Sequence, residues 1–277
     1  QQSRLLSLVT PNPPDSAMFK LLTTLCFFVF LFTPFAASQQ GALLSWGDDG
    51  DGQVSNTPTG LGFSAVDAGN YFTVAIKDDG SLVGWGSNQY GELSNIPIGA
   101  GFIQISCGVA TSHALRVDGS IASWGDDSSG LVSSSPSGAG FLQVEAGSRH
   151  SIALHEDGSI VSWGSDQYGE VSNTPTGTGF RGVAVGWDHS LALASDGSIV
   201  SWGSDGSGQV SSTPTSVGFI QVVAGAGFSL ALHSDGSISA WGDDFYNAIS
   251  NAPSGFGFVH LSTAKHHALA LKADGSI

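Results

Sequence analysis

The chain predicts an all-β fold, a β-propeller of four-stranded antiparallel blades, from three observations. A Trp-Gly pair recurs every 39 residues, at Trp46, Trp85, Trp124, Trp163, Trp202 and Trp241. Three further landmarks keep that register without insertion or deletion: Asp-Gly from Asp79 to Asp274, proline from Pro58 to Pro253, and Gly-Phe from Phe63 to Phe258. Between landmarks short apolar and alternating runs occur, with no helical periodicity. A unit of this size cannot bury a core alone, so its copies must pack on one another in a single repeat domain over residues 42–277.

The repeat from Phe141 to Ser172 shows how each element arises. Phe141–Ala146 alternates apolar and polar residues and reads as a first strand. Gly147-Ser148-Arg149 connects it to a second strand, His150–His155. Glu156-Asp157-Gly158-Ser159 is a hairpin turn in which Gly158 is free to take positive φ. Ile160–Trp163 is a third strand, Gly164–Gly169 a loop, and Val171-Ser172 the start of a fourth, weaker strand. The stretch from Pro175 to Gly179 returns the chain to the next unit. Ankyrin, tetratricopeptide and leucine-rich units have similar lengths but need helices or leucine ladders that are absent here. The recurring Trp suits packing between neighbouring blades, with a large apolar area and one N–H to satisfy.

Six such repeats are present. Leu43–Trp46 reads as a third strand without its own first two, and the sequence stops inside the hairpin after Asp274. Either Leu43–Trp46 completes the last blade of a six-bladed closed ring, or the chain is a fragment of a seven-bladed propeller truncated at its C-terminus.

The ordered motifs Ala146-Gly147 to Leu154, Asp157-Gly158-Ser159 and Trp163-Gly164 to Gly169 resemble the regulator of chromosome condensation repeat family. The resemblance covers about residues 42–277 and implies a propeller, typically seven-bladed. The repeats are also similar in style to secreted bacterial members such as the propeller-type β-lactamase inhibitor. The family's founding activity is nucleotide exchange on the GTPase Ran with chromatin binding. That activity is not expected here, because the uninterrupted register leaves no inserted interaction wedge and no basic tail appears.

Composition points the same way. The formal net charge is −15, which opposes nucleic-acid binding and suits cationic partners. Met18-Phe19-Lys20, the apolar run Leu21–Phe35 and Ala36-Ala37-Ser38 describe a secretory signal peptide over residues 18–38. Residues 1–17 precede the only methionine and are not expected in the mature protein. After cleavage no membrane span is expected, and the localisation is secreted or extracytoplasmic, with the cell surface an option. Of two cysteines, Cys26 lies in the signal and Cys107 replaces the alanine seen at Ala68, Ala146 and Ala224, so no disulfide framework follows.

In an antiparallel blade, the loop between strands one and two shares a face with the loop after strand three, and the Asp-Gly hairpins lie opposite. The first face collects Tyr71, Tyr90, Arg149, Tyr168, Trp187, Asp188, Phe245 and Tyr246, the candidate partner-binding residues. Trp187 is the tryptophan outside the repeat register, so packing symmetry does not explain it. The residue three after each Trp (Asp49, Asn88, Asp127, Asp166, Asp205, Asp244) is suited to hold its loop by accepting backbone N–H groups. Calcium is the competing reading at Asp48–Gly52, but the EF-hand spacing and terminal Glu are missing. His150, His189 and His267 share a slot with Phe72, Thr111 and Phe228, which indicates packing over metal binding. No catalytic set, phosphate loop, metal site or cofactor is assigned. The expected function is that of a secreted non-enzymatic propeller binding a protein partner. A carbohydrate-binding or hydrolytic propeller and a structural or adhesive surface protein are the alternatives.

Overall fold

The computed structural model describes residues 41–276, so the expected leader and signal segment lie outside the described residues. Seventeen strands follow in order. Blade 1 holds β1 (Phe63–Ala68), β2 (Phe72–Lys77) and β3 (Leu82–Gly86). Blade 2 holds β4 (Phe102–Cys107), β5 (Thr111–Arg116) and β6 (Ile121–Gly125), and blade 3 holds β7 (Phe141–Ala146), β8 (His150–His155) and β9 (Ile160–Gly164). Blade 4 holds β10 (Phe180–Val185), β11 (His189–Ala194) and β12 (Ile199–Gly203), and blade 5 holds β13 (Phe219–Ala224), β14 (Phe228–His233) and β15 (Ile238–Gly242). Blade 6 has β16 (Phe258–Thr263) and β17 (Ala268–Lys272). Each blade is an antiparallel meander, and Leu43–Trp46 does not join the sheet of β16 and β17.

The expected fourth strand is a turn instead, so each full blade has three regular strands. The reason is local. Asp166 Oδ1 accepts Val171 N at 2.9 Å and Ser172 N at 2.8 Å, removing the two N–H groups a ladder would need. Thr174 Oγ1 then ties the turn to Ser162 on β9 at 2.7 Å. Asp49, Asn88, Asp127, Asp205 and Asp244 hold their turns in the same way.

A three-stranded sheet has two apolar faces and no third layer, so the core is divided among the junctions between blades. One cluster packs Phe72, Val74 and Ile76 of blade 1 against Phe102, Ile105 and Trp124 of blade 2, and four more fill the later junctions. Each repeat tryptophan from Trp85 onward is buried, and its Nε1 donates to a carbonyl 32 residues earlier, in the turn of the preceding blade. Trp163 Nε1, for example, donates to Leu131 O at 2.9 Å. Trp46, with no blade of the described residues before it, is 86% exposed.

The first strands pack on one another in sequence, β1 on β4 through β13 on β16, and so surround the axis. Gln104, Gln143 and Gln221 bridge these inner strands as surrogate peptides. The amide of Gln221 donates to Leu261 O and accepts from Leu261 N, both at 2.8 Å. On the hairpin face each junction is closed by a glycine carbonyl, such as Gly158 O accepting Phe180 N at 3.1 Å. Gly158 has φ +81°, and a Cβ there would sit 2.6 Å from Gly179 N, so both the conformation and the close approach require glycine.

Three buried histidines cross-link the second strands. His113, His150 and His189 each place Nε2 within 2.9 Å of a serine hydroxyl on the next blade, Ser151, Ser190 and Ser229. Phe72 and Phe228 fill the His150 slot in other blades, in keeping with the packing role expected from the sequence. Desolvation lowers His113 and His150 to about 3 and His189 to about 4, from 6.5. On the inner strands desolvation raises Asp67 to about 6 and Glu145 to about 7, and the Asp67 charge adds to the Glu145 shift.

The two groups act oppositely on stability. The native histidines refuse protons that the unfolded chain takes below about 6.5, so their contribution is full above that pH and is lost as pH falls towards 3. The raised carboxyls bind protons first in the native state, so they favour folding as pH falls from about 7 to about 4 and are constant below it. Acid destabilisation should therefore be shallow between roughly pH 6 and 4.5 and steep below about pH 4. His189→Phe should flatten the slope of unfolding free energy against pH over the shallow range by about one proton. Urea denaturation of both proteins across that range, followed by tryptophan fluorescence, measures the difference.

Candidate functional site

The loops after the first and third strands share one face, and on it the structure brings together some candidate residues and separates others. Trp187 stands in the connection between β10 and β11, and Phe245-Tyr246 in the turn after β15. Lys265-His266 stands between β16 and β17. These segments come from blades 4, 5 and 6, yet they touch. His266 packs edge-on to Trp187 at 6.0 Å and lies 4.0 Å from the Tyr246 ring, and Tyr246 meets Phe245 at 4.9 Å in a T-shaped pair. The Lys265 ammonium sits over the Trp187 indole, 4.1 Å from its centroid.

Trp187 and Lys265 occupy the same repeat position two blades apart, and the residues between explain how they meet. Blade 5 carries Ala226-Gly227 in that slot, a single methyl group that leaves the space open. The backbone follows the same path, with Trp187 N donating to Ala226 O at 3.3 Å and Ala226 N to Lys265 O at 3.0 Å. The result is a cleft of about 190 Å³ floored by Phe228 and lined by Trp187, Tyr246, His266, Gln209 and Asp243. The turn that carries Phe245 and Tyr246 is stiffened locally. Asp243 Oδ1 accepts Phe245 N at 2.9 Å, and Asn247 adopts φ 57° where other repeats place glycine. Asp244 is held ionised, its pKa lowered by the N–H groups of Ser250 and Ile249. Such rings, exposed at Phe245 and Tyr246 and unneeded by the core, are the kind of anchor that interfaces use.

Tyr71, Tyr90, Arg149 and Tyr168 are exposed on other blades, and among the described residues no ring contact joins the three tyrosines to the cluster. Asp188 is half-buried, its carbonyl accepting Ser204 N at 2.7 Å. Tyr90 and Tyr168 are positioned by Glu92 and Glu170, buried carboxyls that accept the tyrosine backbone N–H groups at 2.8 and 2.7 Å. Lys265 and His266 were not among the candidates from sequence. The available signal was that they share the Trp187-Asp188 slot, with Ala226-Gly227 between.

A second cavity, of about 390 Å³, opens on blade 1 between Leu43, Trp46, Phe72 and Trp85. It lies where the other blades receive a neighbour's side chains, so it is a packing face and not part of this site. Among the described residues no cluster of His, Cys, Asp or Glu could hold a metal ion, and no helix is long and apolar enough to cross a membrane. The turn carboxylates proposed for loop-holding accept backbone N–H groups as expected.

No curated protein matches the chain in sequence. The regulator of chromosome condensation (RCC1) repeat matches residues 63–92, 141–170, 180–209 and 219–248, each match running from a first-strand Phe into the turn after the third strand. Solved structures share the fold. The ectodomain of the Physcomitrella patens receptor kinase CR4 superposes with a TM-score of 0.65 at 23% identity, covering 81% of this chain and 62% of that one. The CRINKLY WD40 ectodomain of the Arabidopsis thaliana receptor kinase ACR4 gives 0.63 at 21% identity, covering 79% of each. Yeast RCC1, solved bound to Kap60, gives 0.62 at 18% identity, covering 76% of this chain and 68% of that one. The chain thus spans less than two thirds of the Physcomitrella ectodomain.

If the empty slot at Ala226 is what lets Lys265 reach Trp187, filling it should uncouple them. Lys265→Met should cost about 0.5–1 kcal/mol of stability in the native background and close to nothing beside Ala226→Tyr, as read by a double-mutant cycle in urea. Equal costs in both backgrounds would contradict the two-blade reach. The repeat matches and the shared propeller architecture agree: the chain carries four stretches that match the regulator of chromosome condensation (RCC1) repeat, set in a β-propeller.

Proposed function

We propose that this chain is an exported, non-enzymatic binding propeller that grips a protein partner through the cleft at Trp187. One observation carries the reading: four aromatic or imidazole rings and a lysine from three blades converge on a surface the core does not require. Nothing in the 39-residue repeat demands Trp187, Phe245 or Lys265, since other repeats place Asn, Val, Ser or Ala in the slot of Trp187 and Lys265, and Gly, Gln or Ser in that of Phe245. The formal net charge of −15 favours a cationic partner and adds long-range attraction to it. Exposed Tyr90 and Tyr168 extend the same face across blades 1 and 3. A sugar ligand is the second reading, favoured by Gln209 and Asp243 lining the same cleft as Trp187 and Tyr246.

Immobilised chain and its Trp187→Ala and Tyr246→Ala variants, exposed to extracellular proteins, test the first reading. Bound partners should dissociate at least ~10-fold faster from both variants, and retention of every partner would exclude the cleft. Binding on a glycan array, lost in the same variants, would select the sugar instead. Export is tested separately by expressing the chain with its first 38 residues. The mass of the recovered protein should correspond to cleavage near Ser38, and an uncleaved, cell-retained chain would remove that part of the proposal.

A further inference from the structure

The opposite face, where the Asp-Gly hairpins lie, carries a feature unconnected with the cleft. Every first strand contains a bulge one residue after its Phe, seen as a register shift from Phe63 to Ala65, Phe102 to Gln104 and onward to Phe258 and His260. A bulged residue leaves the ladder and is turned out of it. In successive blades it is Ser64, Ile103, Leu142, Arg181, Ile220 and Val259. The four apolar ones are 38% to 57% exposed. Ile103, Leu142 and Ile220 stand in blades with neighbours on both sides, so their exposure does not come from an uncovered end. Ser64 and Arg181 occupy the same bulge, so the scaffold accepts a polar residue there and does not itself call for Ile or Leu.

These bulges are gathered by the fold. First strands surround the axis, and the start of each is hydrogen-bonded to the hairpin glycine of the blade before it, as in Phe102 N to Gly80 O at 3.1 Å. Leu61, Val217 and Phe256, two residues before a first-strand Phe, add exposed apolar surface at the same level. Outside this collar stand the hairpin aspartates. Asp79, Asp118, Asp196 and Asp235 are held ionised, their pKa values lowered by the hydroxyl and N–H of the serine two residues on. Four cations stand nearby: Arg181 donates to Ala194 O and Phe219 O, Arg116 and Lys272 lie over Phe102 and Phe258, and the exposed Lys77 interacts with Asp79.

We infer that this apolar collar within an acidic rim is a second docking surface, one that takes a cationic amphipathic peptide segment. The apolar side chains would enter the collar and the lysines or arginines would meet the hairpin carboxylates. The same rim repels an anionic membrane and a second copy of this acidic chain.

The test uses the full chain and a dye-labelled peptide of alternating Leu and Lys, with a Leu-Glu peptide as control, followed by fluorescence anisotropy. The Leu-Lys peptide should bind, weaken as salt rises, and ignore Trp187→Ala, which separates this surface from the cleft. Ile103→Asn, Leu142→Asn, Ile220→Asn and Val259→Asn together should weaken it about 10-fold or more, and the two single variants Ile103→Asn and Ile220→Asn serve if the combination fails to fold. Asp118→Asn with Asp235→Asn keeps the Oδ1 acceptor of each turn but removes its charge, and should weaken binding several-fold. The inference is overturned if the Leu-Glu peptide binds as well or if folded Asn variants bind undiminished. It is equally overturned if those variants affect only self-association or vesicle binding.

Discussion

The bond from each repeat indole to a carbonyl in the preceding blade is what the remaining structure depends on. It is a buried donor that must be satisfied, and its acceptor lies on a turn that has no ladder of its own. One contact therefore does two jobs. It locks the third strand of one blade against its neighbour, and it pins the turns from which Tyr90 and Tyr168 project. Each turn is also held from within by its Asx residue, as Asp244 holds the turn of Phe245 and Tyr246.

Around that bond the junctions combine apolar packing with buried polar links. The glutamine bridges, the histidine–serine links and the glycine carbonyl stitches each satisfy groups that would otherwise be stranded between sheets. The cost is a set of ionisable groups drawn partly or wholly out of water. Neutral histidine is tolerated there, and carboxyls at Asp67 and Glu145 are raised toward neutrality. Stability is thus coupled to acidity from inside the propeller, while the surface turn aspartates remain ionised.

Much of the scaffold was legible in the sequence because it repeats. The tryptophan, the Asp-Gly hairpin and the loop-holding Asx residue each have one physical job, and the structure gives them that job in blade after blade. The fourth strand was misread because Val171 and Ser172 look extended, while Asp166, five residues earlier, captures their N–H groups. The bulges were also hidden, since Ile103 and Leu142 alternate with their neighbours like ordinary strand residues. For the site, Trp187, Phe245 and Tyr246 were visible as departures from the repeat. Their meeting with Lys265 and His266 was not, because it depends on the small residues at Ala226-Gly227 and on distances across three blades.

The junctions between blades also differ from one another in their polar chemistry. Blades 1 and 2 are joined by Asp67 Oδ2 accepting Cys107 N, blades 2 and 3 by Gln104 with Ser106, and blades 3 and 4 by Gln143. At the next junction Gly182 replaces the glutamine and Arg181 reaches across to Phe219 O instead. Blades 5 and 6 return to glutamine and add Thr263 on Ala224 O. Nearly identical modules made in tandem are prone to pair out of turn while folding. Here the three glutamine junctions are alike in kind, while those made by Asp67 and Arg181 are not, so two of the five joints carry a mark of their own place in the order of blades.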